Sequence, residues 1–431
     1  MNVRRKIKYG LCVVLVGFSF QNLSAEEKPL KLKELIEEAL EHNPSKKAAQ
    51  YDAESQKAQI GPSGSYDDPM IAFAAKDYPV DTLSPRRFGM TGNEVSVAQK
   101  VPFPGKLTKM RSATRKEYES KDSNFNQTQL QVIRDVKQAY YELFLAYKKH
   151  EIVVEQKKLI RQLIAVVRSR YSVGKVPQAE LLNFQIEGGK LTGELLESER
   201  EVKVKMANLG YVLGREGGKL IGKPEELTKT HFNLKKFTQT QVLQKALERN
   251  FGLKASQAMR DAASEKLTYA KLSYLPDFEL MAGYTFREPS PGDPGTDFVS
   301  GKVGMSVPLW FLTKQSELVK SASAQKAKAE AELQTERTRL IQEVRNNYSE
   351  LIQTQQSLDL YENALLPLSR QAVASGKSAY LTGRMEYLSL LNIINERFQT
   401  EYAYNNALVN YETKISEFEV LMGESLDGRG E

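Results

Sequence analysis

Residues 278–286 read FELMAGYTF, and the alternation in this short stretch is the clearest structural pattern in the sequence. Its apolar side chains occupy every second position: Phe278, Leu280, Ala282, Tyr284 and Phe286. The residues between them are mostly polar or small. A period of two is typical of a β-strand with one apolar face, so the sequence predicts a strand here.

Three similar stretches predict three more strands. After a loop at 287–297 that is rich in Pro and Gly, Val299, Val303, Met305 and Val307 alternate with polar or small residues. Earlier in the chain, Ile71, Phe73 and Ala75 share one face, and so do Val95, Val97 and Val101 after a loop at 79–93. Strands of about ten residues are long enough to cross a bilayer when tilted. A small soluble sheet packed on helices has the same periodicity and stays open as an alternative.

The chain contains one long internal repeat. Residues 39–43 (ALEHN) return as 246–250 (ALERN), and Pro69 and Gly214 return as Pro276 and Gly423, at offsets of 207 to 209. Such a steady offset predicts an ancient duplication, with a first repeat at 26–220 and a second at 221–431. Each repeat is expected to contain an opening helix (31–60 and 238–272), two strands and a long helical hairpin.

The predicted helices are unusually long. No Pro or Gly interrupts residues 106–171, and a helix of that length reaches roughly 100 Å. Pro177 opens the returning arm, and the arms of the two hairpins meet at turns around Gly174 and Gly383. Pro367 is expected to kink or break the outgoing arm of the second hairpin.

Residues 1–25 have the pattern of a secretory signal peptide, with a basic start, an apolar run and small residues before Glu26. A retained N-terminal anchor is the alternative. Cleavage would remove four basic residues, so the formal net charge of +7 would fall to 7 − 4 = +3. It would also remove Cys12, the only cysteine. The basic character of the chain therefore does not indicate a nucleic-acid partner.

The composition disfavours an enzyme. Three scattered histidines and one cysteine cannot build a zinc or iron–sulfur site, and no Gly-rich phosphate loop is present. We therefore predict no catalytic, metal or cofactor-binding residues.

An open sheet of four strands cannot lie in lipid by itself, because its edges leave N–H and C=O groups unpaired. If these strands enter a membrane, several copies must close one barrel around a wet lumen. The residues then expected to face lipid are Ile71, Phe73, Val95, Val97, Phe278, Leu280, Tyr284, Phe286, Val303 and Met305.

These features resemble a known family. Residues 35–44 (LIEEALEHNP) and the turns at 171–174 and 380–383 are similar to those of the TolC-type outer-membrane efflux factors, and the resemblance covers nearly the whole chain after residue 25. Residues 68–70, 90–92 and 99–106 are similar to the heavy-metal efflux subgroup of that family.

The resemblance implies a mixed fold: a homotrimer with four strands per protomer in a twelve-stranded membrane β-barrel, continuous with a periplasmic tunnel of long α-helical hairpins. It implies an outer membrane location in a Gram-negative-type cell, with a large periplasmic part. The duct would passively conduct metal cations or small toxic compounds, and it would contact outer-membrane lipid, a periplasmic adaptor and, indirectly, an inner-membrane pump. The candidate tip residues for adaptor contact are Tyr171, Gly174, Lys175, Tyr380, Gly383 and Arg384.

Two departures from the family limit what the resemblance implies. Residues 370–377 contain no acidic side chain, so an acidic ring of the kind found in some relatives is not expected there. The chain also lacks a cysteine placed for N-terminal lipidation. Two other functions stay open: an exit duct for type I protein secretion, and a soluble periplasmic coiled-coil scaffold.

Overall fold

The computed structural model describes residues 29–215, 222–230 and 238–424. Within these ranges the elements follow in the order α1 (Leu32–His42), α2 (Pro44–Ser63), β1 (Met70–Lys76), β2 (Gly92–Val101), α3 (Lys106–Ser172), α4 (Gln178–Val212), α5 (Gln239–Arg249), α6 (Phe251–Leu272), β3 (Phe278–Phe286), β4 (Phe298–Met305), α7 (Ser316–Leu360), α8 (Leu366–Leu381) and α9 (Tyr387–Met422). The predicted signal peptide and the predicted boundary between the repeats at 220 and 221 lie outside the described residues.

The four strands form one antiparallel sheet in the order β1-β2-β3-β4. Its central pair joins β2 to β3, with Val101 opposite Phe278, so the sheet links segments that are far apart in sequence. The strands have 7, 10, 9 and 8 residues, close to the predicted ten. β4 ends at Met305, two residues before the predicted Val307. Pro308, which has no N–H for a ladder bond, follows Val307. The outer edges of β1 and β4 have no partner strand among the described residues.

Each predicted opening helix is a pair of helices, which corrects the single helices expected at 31–60 and 238–272. The breaks fall at Asn43 and Asn250, whose backbones are extended and whose side chains cap the second helix of each pair. The Asn43 Oδ1 accepts from the backbone N–H of Ser45 at 2.9 Å, and the Asn250 Oδ1 accepts from that of Leu253 at 2.9 Å. A side-chain acceptor at this position satisfies N–H groups that the helix itself leaves free.

The same two asparagines bind the ends of the returning arms. Asn43 Nδ2 donates to the Val212 carbonyl at 3.0 Å, and Asn250 Nδ2 donates to that of Leu421 at 3.2 Å. The glycine that ends the second arm, Gly423, has φ +67°, and a Cβ there would lie 2.7 Å from the Arg249 carbonyl oxygen. In both halves, therefore, the end of the returning arm is held against the opening helix pair, through the asparagine that separates the two helices of that pair.

The long arms agree with the prediction in length. Helix α3 has 67 residues, or roughly 100 Å at 1.5 Å per residue. The equivalent arm of the second half is divided: α7 leads into a π-helical turn at Tyr361–Leu365, and α8 continues from Leu366. Pro367 lies in the first turn of α8, where its missing N–H is tolerated. The predicted break is therefore a π turn between two helices that follow each other without an intervening loop.

The arms of the two halves pack against each other through α3 and α9. Apolar side chains such as Leu143, Tyr411 and Phe418 are buried along these arms. A buried ion pair also joins α3 to α9, with Lys137 Nζ 2.8 Å from Glu419 Oε2. No helix in the described part of the chain combines the length and apolar character that a membrane-spanning helix requires.

Candidate functional site

One face of the sheet carries all ten residues predicted to face lipid. The register places Ile71 opposite Val97 and Phe73 opposite Val95. It continues across the sheet through Tyr284 opposite Val95, Leu280 opposite Val303 and Phe278 opposite Met305. Phe286 follows on the same face, opposite Asn93. We call this the apolar face, and the other side of the sheet the polar face.

The burial of the two faces is the reverse of that in a soluble sheet. On the apolar face Ile71, Phe73 and Val303 are 73%, 70% and 76% exposed. On the polar face Ser96 and Thr285 are each only 6% exposed. The sheet therefore shelters its polar face at the centre, on β2 and β3, whereas Met70 and Phe298 leave this face open on the edge strands, at 64% and 54% exposure. The apolar face is presented outward. A small soluble sheet packed on helices would do the opposite, so the structure does not support that alternative.

The polar face carries five charged side chains: Lys76, Glu94, Lys100, Glu279 and Lys302. Lys76 Nζ lies 3.4 Å from Glu94 Oε2, and Lys100 stands directly opposite Glu279. Lys302 stands opposite Met281 and forms no ion pair with a described residue. The polar face thus bears three lysines and two glutamates, and Lys302 is the lysine with no carboxylate opposite it.

The loops 77–91 and 287–297, at the end of the sheet remote from the long arms, are tied together by Arg287. This side chain is largely buried, and it contacts the Gly89 carbonyl of one loop and Asp293 of its own loop. Arg86 Nε adds a second link, 2.5 Å from Glu288 Oε2. The loops therefore form one connected cap on this end of the sheet.

The hairpin tips turn at two glycines in the left-handed region, Gly174 with φ +70° and Gly383 with φ +74°. The residue after each donates its N–H five positions back: Lys175 to the Arg170 carbonyl and Arg384 to that of Ala379, both at 2.9 Å. A Cβ on either glycine would meet nothing within 4 Å, so the backbone conformation, and not crowding, requires glycine. The turns are open to solvent, and Lys175 and Arg384 are exposed.

The two tip tyrosines have different surroundings, although they occupy equivalent positions in the repeat. Tyr171 is 41% exposed and Tyr380 is 3% exposed. The Tyr380 hydroxyl donates to the buried carboxylate of Glu180, and its carbonyl accepts from Arg170 Nη1 at 3.2 Å. Burial, followed by the contact with Glu180, raises the pKa of Tyr380, which keeps its hydroxyl protonated. Tyr380 thus joins the two hairpins, and its ring is not on the surface where the predicted adaptor contact would form.

The sequence reasoning missed the residues around Tyr380. Phe184 packs against Tyr380 and Tyr387, with ring centroids 6.3 and 6.1 Å apart, and Asn183 Nδ2 donates to the Tyr387 hydroxyl at 2.6 Å. Glu180 lies in the first turn of α4, where an acidic residue is common and carries no functional signal. Glu180 becomes important because it accepts a hydrogen bond from Tyr380 of the other hairpin, which is remote in sequence.

The described residues contain no group of three or more His, Cys, Asp or Glu side chains arranged to hold a metal ion.

Comparisons with known proteins agree with this architecture. The sequence profile of the family described as "Outer membrane efflux protein" matches residues 35–215 and 242–424. The outer membrane protein TolC of Vibrio cholerae serotype O1 is 22% identical over 350 residues, which cover 79% of this chain and 78% of that protein.

Solved structures share the fold at low sequence identity. The outer-membrane channel OprN has a TM-score of 0.78 and 16% identity, covering 91% of this chain and 90% of its own. CusC, whose structures concern transmembrane channel formation, has a TM-score of 0.76 and 15% identity, covering 93% of both chains. Since the two are about equally similar, the comparisons do not favour a subgroup.

Proposed function

The chain belongs to the outer membrane efflux protein family, and on this premise we propose that it is the exit duct of a tripartite efflux system. Its place is the outer membrane, with a large periplasmic part. In this proposal an inner-membrane pump supplies the energy, a periplasmic adaptor connects it to the duct, and the duct conducts passively. No catalytic role is proposed.

The sheet supports the assembly of three copies. The outer edges of β1 and β4 are open in the described chain, and a bilayer offers no water to their N–H and C=O groups. Pairing β4 of one copy with β1 of the next would satisfy both edges. Three copies would then close a barrel of twelve strands, with the apolar face toward lipid and the polar face toward the lumen.

The helices support a tunnel. The outgoing arms begin just after the strands, at Lys106 and Ser316, and run to the tips. The tips therefore lie at the far end of the arms from the sheet, roughly 100 Å away along α3. With the sheet in the outer membrane, the tips would reach through the periplasm toward the adaptor.

The tips support both docking and closure. Tyr171, Gly174, Lys175, Gly383 and Arg384 are exposed at the turns, so they are suited to contact an adaptor. The bond between Tyr380 and Glu180 holds the two hairpins of one copy together. We propose that it keeps the periplasmic end constricted until the adaptor separates the hairpins.

The observation that carries the proposal is the outward exposure of the apolar face, with Ile71, Phe73 and Val303 each at least 70% exposed. A soluble periplasmic scaffold, the competing function, has no use for such a sheet.

The test combines fractionation, native mass spectrometry and planar bilayers. The mature chain should appear in the outer membrane fraction, run as three copies in detergent and conduct ions after reconstitution. Recovery from the soluble periplasm as a monomer would favour the scaffold. A trimer that never conducts, even with Tyr380 replaced by Phe, would refute the duct.

A further inference from the structure

We infer that this duct prefers anions, and that its cargo belongs to the class of small anionic compounds rather than free metal cations. The inference rests on the proposed duct and concerns one residue above all, Lys302. It narrows the two cargo classes that the family resemblance left open.

Lys302 lies on the polar face, on the edge strand β4, and is exposed. Its cross-strand neighbour is Met281, and no described residue forms an ion pair with it. The next carboxylate along this face, Glu279, stands directly opposite Lys100 instead. Glu94, the other carboxylate of the face, is paired with Lys76. Lys100 and Glu279 face each other but form no ion pair, so the three lysines and two glutamates leave each copy a net charge of +1 on the face that would line the lumen. Lys302 is the lysine of this face that has no carboxylate opposite it.

A second copy cannot neutralise Lys302 through β1. The register puts Met70, Ala72, Ala74 and Lys76 on the polar face of that strand, and none is acidic. The carboxylates nearest to β1 in sequence, Asp68 and Asp77, lie outside the strand, one before it begins and one after it ends. Closing the barrel would therefore produce three unpaired Lys302 side chains around one lumen. A ring of lysines in a pore favours anions.

The tips carry charge of the same sign. The segments 158–182 and 374–392 contain seven basic and two acidic residues, a net charge of +5 per copy. One of the two acids, Glu180, is buried against Tyr380. Six basic side chains are exposed and form no ion pair within the described chain: Lys158, Arg161, Arg168, Lys175, Lys377 and Arg384. Like charges concentrated at an entrance raise the local concentration of oppositely charged solutes.

Reversal potentials across a planar bilayer test the inference. The full mature chain is reconstituted with a potassium chloride gradient, both with the native tips and in a Tyr380→Phe background that loosens them. We expect chloride to be more permeant than potassium. Lys302→Gln should lower the chloride-to-potassium permeability ratio on the order of threefold, and Lys302→Glu should lower it further. Lys302→Arg should preserve the ratio, as should Lys33→Gln, a change of an exposed lysine in α1, outside the sheet.

Dye release extends the test to cargo. Liposomes containing the protein should release carboxyfluorescein, which is anionic, faster than a cationic rhodamine of similar size, and Lys302→Glu should reduce the difference. Conductance with cation preference, or a ratio that Lys302→Gln does not change, would overturn the inference and leave the duct intact. The absence of conductance in every variant would overturn the duct, and the inference with it.

Discussion

The bond between Tyr380 and Glu180 is the contact whose loss should change function most directly. Tyr380 and Glu180 are buried, at 3% and 8% exposure. The Tyr380 hydroxyl donates a hydrogen bond to the Glu180 carboxylate, and no other side chain among the described residues donates one to it. Tyr380→Phe keeps the ring against Phe184 but leaves a buried carboxylate without that donor. When the hairpins separate, water solvates the carboxylate, so the substitution disfavours only the closed arrangement.

The magnitude follows from the charge of the acceptor. Hydrogen bonds to charged groups contribute about 1.5–3 kcal/mol. A loss of that size shifts the equilibrium toward separated hairpins by roughly 10- to 100-fold, since about 1.4 kcal/mol corresponds to a factor of ten. We expect the open probability of single channels in planar bilayers to rise accordingly.

Two further variants make this test specific. Tyr171→Phe removes the hydroxyl at the equivalent but exposed position, and it should leave the open probability unchanged. Combining Tyr380→Phe with Glu180→Met replaces both partners by apolar groups and should restore closure, because no unpaired charge remains. The reasoning is refuted if Tyr380→Phe leaves the open probability as it was, or if the double variant opens as far as the single one.

Three other predictions concern assembly and stability. Phe73→Lys places a charge on the apolar face and should lower the stability of the trimer by about 2–4 kcal/mol if that face meets the bilayer interior. Ala72→Lys, on the polar face, should be tolerated. The amount of heat-resistant trimer in outer membranes measures the effect of both variants. Gly423→Ala should destabilise the chain by about 1–3 kcal/mol, because Gly423 has a positive φ and a Cβ there would meet the Arg249 backbone. Gly193→Ala, at a position in open space within a helix, should stabilise the chain by about 0.5–1 kcal/mol. Equal melting temperatures of the two variants would contradict this prediction. A hydrogen bond from Arg215 lowers the pKa of Glu38. The stability that this ion pair contributes is therefore present above the usual Glu38 pKa of 4.5 and is lost as the pH falls through the lowered pKa. Thermal melts at pH 7 and pH 3 should show that Glu38→Gln removes about 0.5–1 kcal/mol of the difference in stability between the two pH values.

The local elements could be predicted from the sequence because each has a local cause. The period of two at 278–286 makes a strand whatever its partner, and the absence of Pro and Gly from 106–171 permits one long helix. Gly174 and Gly383 mark turns because the left-handed backbone requires them. The boundaries that were wrong, at Asn43 and Asn250, depend on capping bonds that a helical pattern conceals.

The contacts between distant segments could not be predicted from any local pattern. The burial of Ser96 and Thr285 on the polar face depends on the pairing of β2 with β3, which sets the register between the two halves of the sheet. Tyr171 and Tyr380 stand in closely similar turns, yet only the second is buried, because Glu180 and Phe184 approach it from the other hairpin. A local sequence pattern indicates which helix or strand its own residues form. The burial of a side chain and the pairing of strands depend on residues that are more than a hundred positions away in the sequence.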